Sequence, residues 1–154
     1  MKMRLFLQIS AGTALLLIIL LTISTLASYS TPEQISPSDT LSKEQIKVTE
    51  NTIQIDIPNA ILVTYSNTNS MDPLLDSGAN GIEIPVTEST ELNIGDIVSY
   101  EAYWNETLVS HRIIDIEQDE QGTYYILKGD NNSSEDPGKV RHEQIKYKLI
   151  GVLY

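Results

Sequence analysis

The chain has 154 residues, with 21 acidic and ten basic side chains, a formal net charge of −11 at neutral pH, and no cysteine. That balance repels phosphate backbones and anionic headgroups, which argues against nucleic-acid binding; the missing thiols exclude disulfides, cysteine nucleophiles and thiolate metal sites. Two histidines are too few for a histidine-rich metal centre, so neither metal nor cofactor is expected.

Leu5 to Ala27 is a run of 23 uncharged residues. As a helix it would extend roughly 34 Å at about 1.5 Å per residue, enough to cross a bilayer. The competing reading is a cleaved signal peptide, because Thr25-Leu26-Ala27 offers small residues for a cut; an uncleaved anchor is preferred. Lys2 and Arg4 precede the run and no basic residue follows until Lys43, so the N-terminus is expected in the cytoplasm and the remainder outside, with a single crossing. The outer part then carries eight basic side chains against 21 acids, a balance near −13. The expected organisation is a cytoplasmic tip and transmembrane signal anchor over 1–28, a linker over 29–45 and one β-rich extracytoplasmic domain over 46–154.

Ser28 to Lys43 is rich in Ser, Thr, Pro and Gln, a composition that buries too little apolar surface to order itself. From Ile46 the pattern changes to period two: Ile46-Lys47-Val48-Thr49 and Thr52 to Ile57 read as half-buried strands. Ala60 to Tyr65 is a short apolar strand that leaves Ser70 in the loop beyond its end, and Ile82 to Val86 is a further strand. Asn93-Ile94-Gly95-Asp96 is a tight turn feeding Ile97 to Trp104, and Asn105-Glu106 closes a hairpin onto Thr107 to Ile116. After a polar turn at Gln118 to Gly122 come Thr123 to Leu127, one helical turn around Arg141 to Ile145, and a last strand from Lys148 to Tyr154. The expected fold is mainly β, meandering antiparallel strands with the chemistry on the loops, plus the N-terminal transmembrane helix.

Ser70 sits in Thr68-Asn69-Ser70-Met71-Asp72-Pro73. A serine hydroxyl is a weak nucleophile and needs a base and an oxyanion-stabilising group. His111 shares a strand face with Val109 and Ile113 and requires polar partners there. The polar loop from Lys128 to Gly138 supplies two acids, Asp130 and Asp136, either of which could accept a hydrogen bond from His111 Nδ1; spacing does not choose between them.

Ser70-Met71-Asp72-Pro73, Gly95-Asp96-Ile97-Val98, Ser110-His111-Arg112-Ile113-Ile114 and Lys128-Gly129-Asp130-Asn131-Asn132 occur in that order, and in this the chain resembles the signal peptidase I family over roughly Ala60 to Tyr154. It is closest in pattern to the archaeal and endoplasmic-reticulum type, where a histidine stands in place of the bacterial general-base lysine; no lysine lies between Lys47 and Lys128. The resemblance implies a signal-peptidase-like fold with Ser70 as nucleophile, His111 as base, Asp136 ahead of Asp130 as the orienting acid, and Asp130 as a second essential or structurally important acid. It implies an oxyanion site made by the Ser70 backbone N–H and the Thr68 hydroxyl. The family's usual glycine is Asn69 here, which fits if the backbone is left-handed at that point. The Asp76 to Gly81 segment is longer and more polar than the family's turn and is expected to reshape the groove.

The implied reaction is cleavage of signal peptides from secreted or membrane preproteins after a small residue, through a Ser70 acyl-enzyme, with acylation falling in acid. Ile61, Val63, Met71 and Leu74 are the expected pocket residues for small side chains at the first and third positions before the cut. Expected partners are signal-peptide-bearing preproteins and the lipid bilayer; the sequence identifies no secretion-machinery subunit. The location is the cell membrane for an archaeal chain or the endoplasmic reticulum for a eukaryotic one. The rival is a non-catalytic extracytoplasmic scaffold with the same fold. A self-cleaving repressor-like domain would need a lysine base and a DNA-binding segment, and neither is present. Of the N-glycosylation sequons at Asn105, Asn131 and Asn132, Asn105 is the expected acceptor.

Overall fold

Alternating apolar and polar residues become eight β-strands among the described residues of the computed structural model, which are 13–22 and 35–154. The strands are β1 (Ile46–Val48), β2 (Ile53–Ile55), β3 (Ile61–Thr64), β4 (Asn80–Pro85), β5 (Ile97–Glu101), β6 (Leu108–Asp119), β7 (Gly122–Lys128) and β8 (Ile145–Leu153). The expected helical turn is a 3-10 turn at His142–Gln144.

β1 and β2 form a two-stranded antiparallel ribbon whose residues are all exposed, Val48 and Ile53 by 72% and 71%. Their period-two pattern therefore marks strands correctly but does not mark a buried face.

The other six strands make one antiparallel sheet in the order β3-β4-β8-β5-β6-β7. The expected meander holds for β5-β6-β7. It fails at β8, which lies between β4 and β5, with Glu83 opposite Leu149 and Val98 opposite Lys148. The reason is the polar stretch between Val86 and Asp96. It carries the chain past a strand's width instead of turning tightly, leaving two edges for the last strand to fill.

Two apolar clusters hold the sheet. One gathers Val98, Tyr100, Val109, Ile113, Tyr125, Leu127 and Ile145; the other joins Met71 and Leu75 of the serine loop to Ile97 and Leu149. Fully burying an aliphatic side chain such as Ile97 or Ile113 contributes about 1.5–3 kcal/mol. The second cluster ties the serine loop to the sheet.

Part of the Ser/Thr/Pro-rich stretch expected to be a linker is fastened to this unit: the Ser38 amide and hydroxyl each donate to Asp96 Oδ1 at 2.8 Å. Gly95 (φ +98°) passes so close to this segment that a Cβ would meet the Ser36 carbonyl at 2.4 Å.

Residues 13–22 form a helix, in a unit distinct from the one that begins at Ile35. Among the described residues no helix is long and apolar enough to cross a membrane; most of the expected anchor from Leu5 to Ala27 lies outside the described residues.

Candidate active site

The loop after β3 presents Ser70 on a turn held from two sides. Asn69 has φ +59°, the left-handed conformation that Asn tolerates through its short polar side chain. The loop after β7 closes onto it: Asn131 N–H donates to the Ser70 carbonyl and Asn131 Nδ2 to the Asn69 carbonyl, both at 2.9 Å. Gly129 permits that approach, since a Cβ there would lie 2.5 Å from the Ser70 carbonyl oxygen. Asn69→Val is expected to lower stability by about 1–2 kcal/mol, the left-handed penalty, whereas Asn69→Gly stays near wild type. Urea unfolding checks this; equal stability of the two variants would argue against a strained turn.

His111 lies on β6, where burial alternates and places Val109, His111 and Ile113 inward. Its Nε2 is 3.2 Å from Ser70 Oγ and its Nδ1 is 2.6 Å from Asp136 Oδ2. Both partners of the latter pair are almost fully buried, with side chains 5% and 6% exposed. A carboxylate only accepts, so Nδ1 carries the proton and the Nε2 lone pair faces the serine hydroxyl.

Tyr100 O–H also donates to Asp136 Oδ2, at 2.8 Å. Burial, then the neighbouring carboxylate, pushes the Tyr100 phenol well above its ordinary range, which keeps it a donor. From the sequence Tyr100 reads only as a strand residue. Its inward position within an apolar run, like that of Val98, was the available signal.

Thr68 Oγ1 lies 3.1 Å from Ser70 Oγ. The Ser70 amide donates no hydrogen bond among the described residues, so it is available to an oxyanion beside the Thr68 hydroxyl.

Asp130 is elsewhere engaged. Both its oxygens accept from Arg112, Oδ1 from Nε at 2.7 Å and Oδ2 from Nη2 at 2.6 Å, while Arg112 Nη1 donates to the Gly95 carbonyl at 2.7 Å. This planar clamp joins the β7 exit loop to β6 and to the turn before β5. Asp136, not Asp130, is the acid beside His111. The turn's Asp96 is likewise structural: it is fully buried and pairs with buried Lys148 at 2.9 Å.

A groove of about 680 Å³ opens at Ser70 and His111, lined among others by Val63, Tyr65, Met71, Leu75, Glu83 and Ser110. Of the four expected pocket residues it includes Val63 and Met71. Ile61 and Leu74 do not line it, because Ile61 sits at the far end of β3 and Leu74 turns into the Met71 cluster. The Asp76–Gly81 segment, expected to reshape the groove, contributes no lining residue. Asn105, the expected glycan acceptor, lies on the groove's lining.

Glu83 and Ser99 are buried at the groove. Burial pushes the Glu83 carboxyl above its usual range, opposed by hydrogen bonds from Ser99 and Tyr65. The residues lining the groove include no lysine near Ser70.

No protein-family model matches the chain, and no solved structure matches it. Over 82 residues it is 32% identical to signal peptidase I W of Bacillus subtilis (strain 168), covering 53% of this chain and 43% of that protein. Over 44 residues it is 48% identical to an uncharacterized protein of Methanocaldococcus jannaschii, covering 29% of this chain and 22% of that one. The chain thus spans less than half the length of either relative it matches. This distant similarity supports, at most, the signal peptidase family and a signal-peptidase-like peptidase function.

Proposed function

We propose that this chain is a membrane-anchored serine endopeptidase of the archaeal and endoplasmic-reticulum signal peptidase type, which removes N-terminal signal peptides from preproteins after a small residue. One observation carries the reading: Ser70 Oγ, the His111 ring and Asp136 form an unbroken polar chain, with contacts of 3.2 and 2.6 Å, at the mouth of the groove. Similarity to signal peptidase I W agrees with it. A non-catalytic scaffold would have no need of that alignment.

An extended peptide has two places to pair. β3 is an edge strand, and β6 from Leu108 to His111 pairs only with β5, because β7 begins its pairing at Arg112. Main-chain hydrogen bonds to such edges hold a substrate in register and place alternate side chains inward.

In the reaction Ser70 Oγ attacks the peptide carbonyl carbon as its proton passes to His111 Nε2. Asp136 and Tyr100 stabilise the imidazolium in place. The oxyanion is held by the Ser70 N–H and the Thr68 hydroxyl. Collapse breaks the C–N bond, His111 returns the proton to the leaving amine, and water activated by the same imidazole hydrolyses the ester and frees Ser70. The net charge of the chain, −11, leaves phosphate-bearing ligands unsuited to it.

The test is cleavage of a signal-bearing preprotein by the full chain in membranes. Wild type is expected to release the mature protein, and Ser70→Ala to release none. Equal cleavage by both sinks the proposal.

A further inference from the structure

Glu83 is a buried acid that the acylation chemistry does not use. It is 2% exposed on β4, between β3 and β8. Its Oε1 accepts from Ser99 Oγ at 2.9 Å and from Tyr65 O–H at 3.1 Å, and Ser99 Oγ lies 2.7 Å from Ser110 Oγ. Oε2 has no partner among the described residues, yet it is not among the polar atoms sealed from solvent without one. The groove that Glu83 lines is where such an oxygen is reached. Among the described residues no cation is paired with it: buried Lys148 is taken by Asp96 and Arg112 by Asp130.

A groove shaped only for small apolar side chains gains nothing from a buried carboxyl, whose desolvation is unfavourable unless its oxygens find partners. The backbone is nonetheless adapted to it. At Gly81 a Cβ would meet the Tyr65 hydroxyl oxygen at 2.0 Å, so glycine at that position makes the space in which Tyr65 reaches the carboxyl. A peptide extended along β6 turns every second side chain inward. Beside the nucleophile the groove is lined by Met71 and Leu75, which follow Ser70 in sequence and pack together. Farther along the same groove stands Ser110, the residue before His111, with Ser99 opposite it on β5 and Glu83 bonded to Ser99.

We propose that Glu83, with Ser99 and Ser110, forms a polar subsite that selects a small hydroxyl side chain, serine or threonine, at the third position before the scissile bond. The inference rests on the peptidase reading above. A hydroxyl suits this chain of groups: it gives its proton to Oε2, while Ser110 Oγ, donating to Ser99 Oγ, holds the Ser99 proton on Oε1. An ammonium would only donate, and would require a full charge on a carboxyl that burial disfavours.

The test compares full-length preproteins that differ only in carrying Ala, Ser or Lys at the third position. For wild type, kcat/KM is expected to be about tenfold higher for Ser than for Ala, the worth of one well-made hydrogen bond, and lowest for Lys. Glu83→Gln keeps the preference, since its oxygen takes the Oε1 place and its amide N–H then donates to a substrate hydroxyl, which can accept as well as donate; Glu83→Met brings the Ser/Ala ratio to about one. Should Glu83→Met not fold, Ser110→Ala must lower the same ratio severalfold. An Ala-to-Ser exchange at the first position should respond to none of these variants. Equal cutting of Ala and Ser by wild type, a preference for Lys, or a ratio that survives whichever of Glu83→Met and Ser110→Ala is read overturns the subsite alone. Failure to cut any of the three preproteins overturns the peptidase reading itself.

Discussion

His111→Ala is expected to slow acylation by at least about a thousandfold, and Asp136→Asn by up to about ten-thousandfold, in single-turnover cleavage of a preprotein. The first removes the only base in contact with Ser70 Oγ among the described residues. The second acts through the tautomer. Asp136 obliges Nδ1 to donate, whereas an asparagine amide can donate to Nδ1 itself and drive the proton to Nε2, where it faces the serine and cannot accept. Tyr100→Phe should be milder, about tenfold at most, because it removes one of two hydrogen bonds to Asp136 and leaves the other. The order His111 and Asp136 far above Tyr100 is therefore the signature. Losses of one size across all three, or a rate that does not fall in acid as the imidazole gains a proton, would point to a fold defect or another base.

Which parts of this site could be read from the sequence follows from how each residue is placed. His111 was legible because β6 alternates with period two, so one polar residue on an apolar face stands out. The choice between Asp130 and Asp136 was not, since both lie in one loop leaving one strand. Register decides it. Lys128 pairs opposite Arg112, so Asp130, two residues on, meets the guanidinium. The chain then folds back until the Asp136 amide donates to the Leu127 carbonyl at 2.8 Å, which brings the second acid level with His111. Neither fact is local in sequence.

Glu83 was illegible for a related reason. In Ile82-Glu83-Ile84 it reads as the solvent side of a half-buried strand, but β4 is flanked on both edges and its neighbours include the returning C-terminal strand. The position of β8 is the element that local pattern could not supply: periodicity identifies a strand, while its neighbours are set by which edges the rest of the chain leaves open. The same blindness explains Gly95-Asp96, which reads as an ordinary turn and holds an acid paired with a residue 52 positions later.

That pair carries the second large effect. Asp96→Asn is expected to lower unfolding free energy by about 3–5 kcal/mol, the cost of leaving one member of a buried ion pair uncompensated. Lys148 is 4% exposed and Asp96 0%, so water cannot take the missing partner's place. The other contacts deepen the loss: Asp96 Oδ2 also accepts from the Asn93 amide at 2.9 Å, and Lys148 Nζ donates to Ser38 Oγ at 2.8 Å. Replacing both charges, as in Asp96→Leu with Lys148→Met, should cost less than Asp96→Asn alone, because no buried charge is left behind. The pH dependence has a definite sign. Burial alone would raise the Asp96 carboxyl, but hydrogen bonds from Lys148 and from the Asn93 and Ser38 amides outweigh it, and the folded value lies below the ordinary one. The stabilisation is thus fully present above the unfolded-chain value of about 3.9 and is lost as pH falls through the lower folded value. The gap in urea midpoint between wild type and Asp96→Asn should be constant from neutral pH down to about 5 and close in stronger acid. A gap that widens in acid, or a double variant less stable than Asp96→Asn, would mean that this buried pair does not fasten the Ser38 segment and β8 to the turn that Arg112 and Asp130 grip from the active-site side.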